Sequence, residues 1–508
     1  MPGNPRPRTT IPTRLADLAA RLEAEVPPAA ETLTVTGVTH ASAEVRPGDL
    51  YAALPGSRRH GAEFVPDAAA AGAVAVLTDS RGAEAAAAAG LPALVVPDPR
   101  AVLGPVASVV YGEPTAALTM IGITGTAGKT STAYLIESGL RAAGQVTGLI
   151  GTVETRLGDL SLDSVRTTPE ATDLHAMLAV AREREVDAVV MEVSSHALAM
   201  ERVGGVRFAV GGYTNFGRDH LDFHADVGAY FAAKARLFDG RCAVEVLNLD
   251  DPALRPLHKA DTVTYSAAGN PAATWRAENV SGSGYAQRFT AIGPDGVVVD
   301  AGVALPGRHN IANALLAIAV LAAVGVDPQI AARGVAACRG VPGRLELVDA
   351  PGPVRGVVDY AHKPDAITAA LSALRDLVAE GGRLICVIGA GGDRDRSKRP
   401  VMGAAAARGA DRVLITDDNP RTEDPAAIRA ELLAGALREG TAALVTEVAD
   451  RRAAIAEAVR LAAPGDIVAV LGKGHERGQE IGGQVYPFDD RVELAAALTA
   501  RFADRVGQ

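Results

Sequence analysis

The densest chemistry in these 508 residues lies at Gly125-Thr126-Ala127-Gly128-Lys129-Thr130-Ser131. An apolar run, Met120–Thr124, precedes it and a helix-like stretch follows. Glycines let backbone N–H groups turn toward phosphate oxygens, and a helix N-terminus adds positive potential. Lys129 would then reach the β- and γ-phosphates of a nucleotide, and the Thr130 hydroxyl would ligate Mg²⁺. The longer pattern G-x4-G-K-[ST] is not met, because Ile123 stands at its first glycine position. What stands here is the shorter G-x-x-G-K-T. An ordinary strand–turn–helix junction is the competing reading, and the lysine argues against it. Of 50 basic residues only six are lysines: Lys129, Lys234, Lys259, Lys363, Lys398 and Lys473. In a chain that so prefers arginine, a retained lysine is a candidate for a compact charge or a reactive amine.

A second group of candidates follows other apolar runs. Glu192 closes Asp187–Val193, a continuous apolar run typical of a fully buried parallel strand. That places Glu192 at the carboxyl edge of a sheet, near the glycine loop, where a hard oxygen ligand for Mg²⁺ is needed. His220 and His224 are four apart, which invites a zinc reading. Leu221 follows His220, however, so the H-E-x-x-H pattern is not met.

The shortened loop resembles that of the Mur ligases and the folylpolyglutamate synthetases, which are ATP-dependent amide-forming enzymes of three domains. Glu192-Val193-Ser194-Ser195-His196, the Asn215–Asp222 segment and Tyr230–Phe238 resemble Mur ligase motifs in that family's order. Ala127 stands where the family usually has Asn, at a position that contributes mainly backbone. The resemblance implies that His220 ligates a second Mg²⁺. It also implies that Lys234 is carbamylated, CO₂ adding to the amine and turning a cation into a carboxylate. An ammonium beside Mg²⁺ and ATP phosphates would repel the metal, so the modification makes physical sense. A surface lysine with a snorkelling stem is the plainer alternative. On this reading Lys129, Glu192, His220 and Lys234 are catalytic, and Thr130, Glu192, His220 and carbamylated Lys234 hold metal.

Further residues match by resemblance alone. Asn310 and Asn313 would lie near the adenine, with helix capping as the alternative. Arg344, Asp359 and His362 match positions that meet ATP when the C-terminal domain closes. His40, Ser42, Ser57, Arg58 and Arg59 resemble the uridine-binding turns of the tripeptide-forming members, and Thr167, Thr168, Ser194 and Arg202 match contacts to the muramoyl peptide. Asp418-Asn419-Pro420-Arg421 is the form carried by diaminopimelate-adding members. With Arg394, Gly472 and Glu476 it implies a diaminopimelate site. Arg421 offers a planar fork for a carboxylate and Glu476 an acceptor for an ammonium. The alternative is that Arg421 and Glu476 simply pair with each other. The resemblance runs from about Val38 to Asp490. It implies ligation of diaminopimelate to UDP-MurNAc-L-Ala-D-Glu at the expense of ATP, with Mg²⁺ and a CO₂-derived carbamate as cofactors; the sequence leaves the meso and LL forms open, and the meso form is expected.

These residues need particular elements to hold them. Short β-branched runs alternate with helical patterns throughout, so the fold class is α/β. Three domains are expected: residues 1–99 for the UDP-sugar, 100–340 with a central P-loop-like parallel sheet, and 341–508 as a Rossmann-like doubly wound sheet binding the amino acid. The length agrees, at about 100–200 residues per domain. In such sheets ligands sit beyond the carboxyl ends of the strands. Hydrophobic residues make up 48% and charged residues 22%, which is globular composition, and the net charge of −10 argues against a nucleic-acid-coating protein. Cys242, Cys338 and Cys386 are odd in number and far apart, so neither a disulfide framework nor a zinc knot is expected. No signal peptide and no membrane span are legible, and a cytoplasmic monomer is expected. Three other readings are weaker. Gly389–Arg394 begins like a dinucleotide loop, but Arg394 occupies the third glycine position, so an NAD enzyme is disfavoured. A non-catalytic nucleotide-binding scaffold would not need all the metal ligands together. An L-lysine-adding relative or a folylpolyglutamate synthetase has no reason to carry Arg421 in its Asp-Asn-Pro-Arg setting.

Overall fold

The computed structural model describes residues 5–25, 30–56, 58–283 and 285–502. Three sheets carry the candidate residues. The first has four parallel strands in the order Gly37–Thr39, Asp49–Ala53, Ala75–Thr78, Ala93–Val95. The middle two are buried at every position, as continuous apolar runs demand when both faces are covered.

The second sheet is large and mixed. Its parallel heart places Thr119–Thr124 between Ala188–Glu192 and Phe208–Tyr213. Ile123 pairs with Glu192 and Thr124 with Tyr213, so three strands end together at one edge. An antiparallel pair, Glu154–Leu157 and Leu160–Asp163, extends the sheet beyond Thr147–Ile150. The third sheet has five parallel strands, in the order Arg355–Asp359, Ile467–Leu471, Leu384–Ile388, Arg412–Ile415, Leu444–Glu447. A short antiparallel strand, Glu346–Val348, joins it at the Arg355–Asp359 edge. That strand was not expected: three residues half in solvent carry too little apolar pattern to announce it. Asp359 and Ile388 both pair with Leu471, so the loops at 360–363, 389–394 and 472–476 leave the same edge.

The contacts group the chain into two compact units. One holds residues 1–276, 291–299 and 315–335; the other holds 277–290, 300–314 and 336–508. The N-terminal sheet shares a unit with the glycine loop for a packing reason. Leu15, Leu50, Leu94 and Leu103 form one buried cluster with Ala171, Ala176 and Ala179 of the helix Ala171–Glu183. Burial of such side chains is worth about 25 cal/mol per Å² of apolar area, which favours one continuous core.

Candidate active site and amino-acid site

Thr119–Thr124 delivers the chain into the glycine loop, and the helix Lys129–Ala142 leaves it. Gly125 sits at φ +139°, and a Cβ there would come within 1.9 Å of the Thr214 hydroxyl. Only glycine satisfies both demands. Gly128 is the N-cap and provides no side-chain cap, so the first-turn N–H groups, which have no intrahelical partner, are not capped by it. Two other loop amides are committed elsewhere. Thr126 N–H donates to the Asn215 carbonyl at 2.8 Å, and Ala127 N–H donates to Asn215 Oδ1 at 3.0 Å. Ala127 acts through its backbone, as its small side chain suggests: its carbonyl accepts from Thr214 Oγ1 at 2.6 Å and Asn215 Nδ2 at 3.1 Å. Asn215 thus fixes the loop, a role that its place in the Asn215–Asp222 motif did not announce.

Lys129 Nζ donates to the carbonyls of Gly125 and Thr126 at 2.7 and 3.2 Å. Lys234 Nζ donates to the same Gly125 carbonyl at 2.7 Å. Two of the six lysines therefore converge on one loop oxygen. Lys234 is 1% exposed and its ammonium lies 4.8 Å from the centre of the Tyr230 ring, which rules out the surface-lysine alternative. Asp226 caps the helix Val227–Ala235 by accepting from Ala229 N–H, and Lys234 stands in the last turn of that helix. Tyr230 OH lies 3.1 Å from Thr126 Oγ1, a further tie to the loop.

Glu192 is buried where the sheet ends. The Thr130 hydroxyl donates to its Oε2 at 3.0 Å; Thr152 donates to Oε1 through N–H at 2.7 Å and to Oε2 through its hydroxyl at 3.2 Å. Thr152 also touches Thr167, one of the expected substrate residues, at 3.0 Å between hydroxyls. Sequence reasoning missed Thr152; nothing in its local pattern marks it. Among the described residues no three His, Cys, Asp or Glu side chains cluster as a metal-ligand set. A Mg²⁺ bound by one carboxylate, one hydroxyl and phosphate oxygens needs no such cluster, and the Thr130–Glu192 pair supplies that donor set. His220 has φ +53° and packs edge-on to His196 at 4.7 Å between ring centres, while its Nε2 lies 3.3 Å from Asp219 Oδ2. His224 Nε2 lies 3.0 Å from Ser195 Oγ, a buried structural contact that gives no support to zinc.

The substrate candidates of this unit form two groups. Thr168 Oγ1 donates to the Glu192 carbonyl at 2.8 Å and accepts from Ser194 N–H at 3.1 Å. Ser194 caps the short helix after it by accepting from Ala197 N–H. Arg202 pairs with Glu170 at 2.7 Å, both nearly buried. In the N-terminal sheet, His40, Ser42 and Arg59 line one cleft of about 370 Å³. His40 Nδ1 lies 3.1 Å from Thr172 Oγ1. Arg58 is exposed beside the cleft-lining Arg59, and Ser57 lies outside the described residues.

The second unit holds the remaining candidates. Asn310 Nδ2 donates to the Pro306 carbonyl at 2.7 Å, and Asn313 Nδ2 donates to Asn310 Oδ1 at 3.0 Å. Asp359 accepts from Leu345 N–H at 2.6 Å and Ala361 N–H at 2.7 Å; burial raises its pKa, and Arg344 opposes that rise. The Arg344 guanidinium stacks 4.5 Å over the Tyr360 ring. His362 Nδ1 lies 2.8 Å from the Tyr360 carbonyl, and burial pushes its pKa down to about 4.

The loops at 418–421 and 472–476 meet through side chains. Asn419 Nδ2 donates to Glu476 Oε2 at 2.8 Å. Lys473, fully buried, donates to Asn419 Oδ1 at 2.9 Å and to Glu476 Oε2 at 3.0 Å. Gly472 has φ +117°, and a Cβ there would meet Asp418 Oδ2 at 2.5 Å. The expected alternative, an Arg421–Glu476 pair, is not what forms. Arg421 donates from Nη1 to the Gly392 carbonyl at 2.7 Å and pairs with Glu480 at 3.2 Å. Arg394 is exposed and donates to the Asp393 carbonyl at 3.2 Å. Beneath the loops lies a residue the sequence did not signal. Arg451, buried and paired with buried Asp490 at 2.7 Å, donates to the carbonyls of Asp417 and Leu471, the residues just before each motif.

Comparison with known proteins accounts for this arrangement. Residues 34–111 match the Mur ligase family catalytic domain, 123–321 the Mur ligase middle domain, and 343–474 the Mur ligase glutamate ligase domain. The chain is 55% identical to the UDP-N-acetylmuramoyl-L-alanyl-D-glutamate–2,6-diaminopimelate ligase of Streptomyces coelicolor, over 98% of each chain. It is 54% identical to the ligase of that name from Streptomyces avermitilis, again over 98% of each. A solved structure of a ligase of the same name aligns with a TM-score of 0.69 at 32% identity, over 97% of this chain and 99% of the other. The shared fold is three-domain α/β, with a large mixed central sheet and a parallel C-terminal sheet. With three family domains matched in order and full-length relatives above half identity, the chain belongs to the Mur ligase family.

Proposed function

We propose that this chain is the ATP-dependent ligase that adds diaminopimelate to UDP-MurNAc-L-Ala-D-Glu in peptidoglycan precursor synthesis. The observation that carries the reading is the Lys473–Asn419–Glu476 network on the C-terminal loops, a polar constellation in a chain 55% identical along its length to such a ligase. The domains divide near residues 99/100 and 340/341. The enzyme acts in the cytoplasm as a monomer; no helix among the described residues is long and apolar enough to cross a membrane.

In the reaction the D-glutamyl γ-carboxylate attacks the γ-phosphorus of ATP, and ADP leaves. The resulting acyl phosphate is attacked by an amine of diaminopimelate, which forms the amide and expels phosphate. The helix N-terminus at Gly128 and the Lys129 ammonium hold phosphate oxygens as charge builds on them. Thr130 and Glu192 would hold Mg²⁺, and His220 and a carbamate on Lys234 would hold a second ion; bound there, the ions would neutralise phosphate charge so that an anionic carboxylate can approach. The burial of Lys234 beside the Gly125 carbonyl suits a carbamate, whose N–H can keep that hydrogen bond. Thr167, Thr168, Ser194 and Arg202 orient the muramoyl peptide, while His40, Ser42, Ser57, Arg58 and Arg59 hold the uridine end. Asn310, Asn313, Arg344, Asp359 and His362 contact the nucleotide. No side chain of the enzyme acts as a nucleophile.

The test is substrate-dependent phosphate release. ADP and phosphate should form with meso-diaminopimelate only when the UDP-dipeptide is also present. Equal ligation of L-lysine would overturn the assignment of the amino-acid site.

A further inference from the structure

Residue 480 touches two expected amino-acid ligands through three of its own atoms. Its N–H donates to Asn419 Oδ1 at 2.9 Å. Its carbonyl accepts from Arg421 N–H at 3.0 Å. Its carboxylate lies 3.2 Å from Arg421 Nε. It belongs to Gly478–Ile481, one arm of a two-stranded hairpin whose other arm is Gln484–Pro487. Gly482 N–H donates back to the Arg421 carbonyl at 2.7 Å, so Arg421 is bonded to the hairpin on both sides of its peptide unit. These bonds hold a backbone that a non-glycine residue adopts only with support: Arg421 has φ +54°.

The consequence for recognition follows from counting donors. A guanidinium has five N–H donors. The Glu480 carboxylate sits as an ion partner beside Nε, and the Gly392 carbonyl takes one donor on Nη1. A carboxylate approaching Arg421 meets the negative charge of Glu480 on the Nε side and is thereby directed to the Nη1/Nη2 end of the fork. Asn419 is fixed in the same way. Its Oδ1 accepts from Lys473 and from residue 480, so its amide must present Nδ2 as donor.

We infer that Glu480 is a positioning residue for amino-acid selection: its carboxylate orients the Arg421 fork, and the hairpin carrying it sets the backbone of Arg421 and the amide of Asn419. The inference rests on the diaminopimelate reading above. Nothing in the motifs marks Glu480, because it lies outside the Gly472–Glu476 run and its side chain is partly exposed.

The experiment compares Glu480→Ala and Glu480→Gln with wild type in steady-state ligation, and adds Glu480→Ala in an Arg421→Ala background. Glu480→Ala should raise KM for diaminopimelate about 5- to 20-fold. It should leave kcat within about twofold and KM for ATP and the UDP-dipeptide unchanged. Glu480→Gln, which keeps an oxygen beside Nε but not the charge, should recover part of the loss. In the Arg421→Ala background Glu480→Ala should add almost nothing, since the residue through which it acts is gone. Unchanged or lowered KM for diaminopimelate in Glu480→Ala overturns the inference, as does a full additive loss in the double variant. Wild-type enzyme that ligates diaminopimelate while Glu480→Ala behaves normally leaves the functional reading standing and removes this inference alone. Wild-type enzyme that does not ligate diaminopimelate removes both.

Discussion

Around the glycine loop most of the polar contacts use main chain: two lysines bond the Gly125 carbonyl, Asn215 bonds both ends of the Ala127 backbone, and Thr152 N–H bonds Glu192. On the C-terminal loops side-chain pairs join the two motifs, Asn419 to Glu476 and Lys473 to both, while main-chain bonds to the hairpin hold Arg421 in place. On the proposed function, the difference matches the two ligands. Phosphate is nearly spherical in its demand for donors, and backbone amides at a helix end answer it. An amino acid with two distinct termini needs donors and acceptors at fixed places, which only oriented side chains supply. Main-chain sites depend on steric permission, hence Gly125; side-chain sites depend on neighbours that hold them in register.

The largest effect should come from Lys234, the buried lysine that bonds the main chain of the glycine loop. If the amine is carbamylated, Lys234→Ala should lower kcat on the order of 10³-fold or more, the scale on which a charge-stabilising group is lost from a catalytic site. A short-chain carboxylic acid in the buffer should restore part of it by supplying the missing carboxylate. Mass analysis of active wild-type protein showing an unmodified Lys234 would remove the carbamate from the mechanism.

A smaller effect is expected at Arg421, and it tests the other half of the comparison. Removing one partner from a desolvated charge pair costs about 2–5 kcal/mol. The Arg421 side chain keeps 21% exposure, so the lower end of that range applies. Arg421→Ala should therefore raise KM for diaminopimelate about 30- to 150-fold while KM for ATP stays within twofold. A matching rise for ATP would mean that the loop collapsed, and that the side-chain network is structural.

How far the sequence reveals each region follows the same division. The glycine loop is legible because its requirements are local: Gly125, Gly128, Lys129 and Thr130 are consecutive or nearly so. Glu192 is legible because an apolar run points at it. Thr152 and Asn215 are not, since their roles arise from strand pairing over distances of 40 and 88 residues. On the C-terminal side the two motifs stand out, while Glu480, Arg451 and Asp490 join them only after folding. A buried Arg451–Asp490 pair separated by 39 residues leaves no pattern in either neighbourhood. The short strand Glu346–Val348 escaped notice for a different reason, because it has no alternation long enough to read.

The smallest effect concerns a buried histidine of the first unit. His175 is fully buried in the helix Ala171–Glu183, and its Nε2 lies 2.8 Å from the Gly204 carbonyl. Burial lowers its pKa to about 4, against an ordinary value of 6.5 and despite the opposing hydrogen bond. A depressed folded pKa means that the unfolded chain takes up the proton first. Stability from His175 is therefore complete above pH 6.5 and is lost as pH falls toward 4. Between pH 7.5 and 5.5 the unfolded imidazole becomes mostly protonated while the folded one stays neutral, a cost of about 1 kcal/mol at 1.36 kcal/mol per unit. His362 and His475, also held down to about 4 by burial, add their own shares in the second unit. His175→Gln can still donate to Gly204 but does not titrate. Urea unfolding of the two proteins at both pH values should show the variant losing about 1 kcal/mol less than wild type on acidification. Equal losses would mean that His175 is protonated in the folded protein at pH 5.5, and that its neighbourhood is wetter than its packing against Gly204 implies.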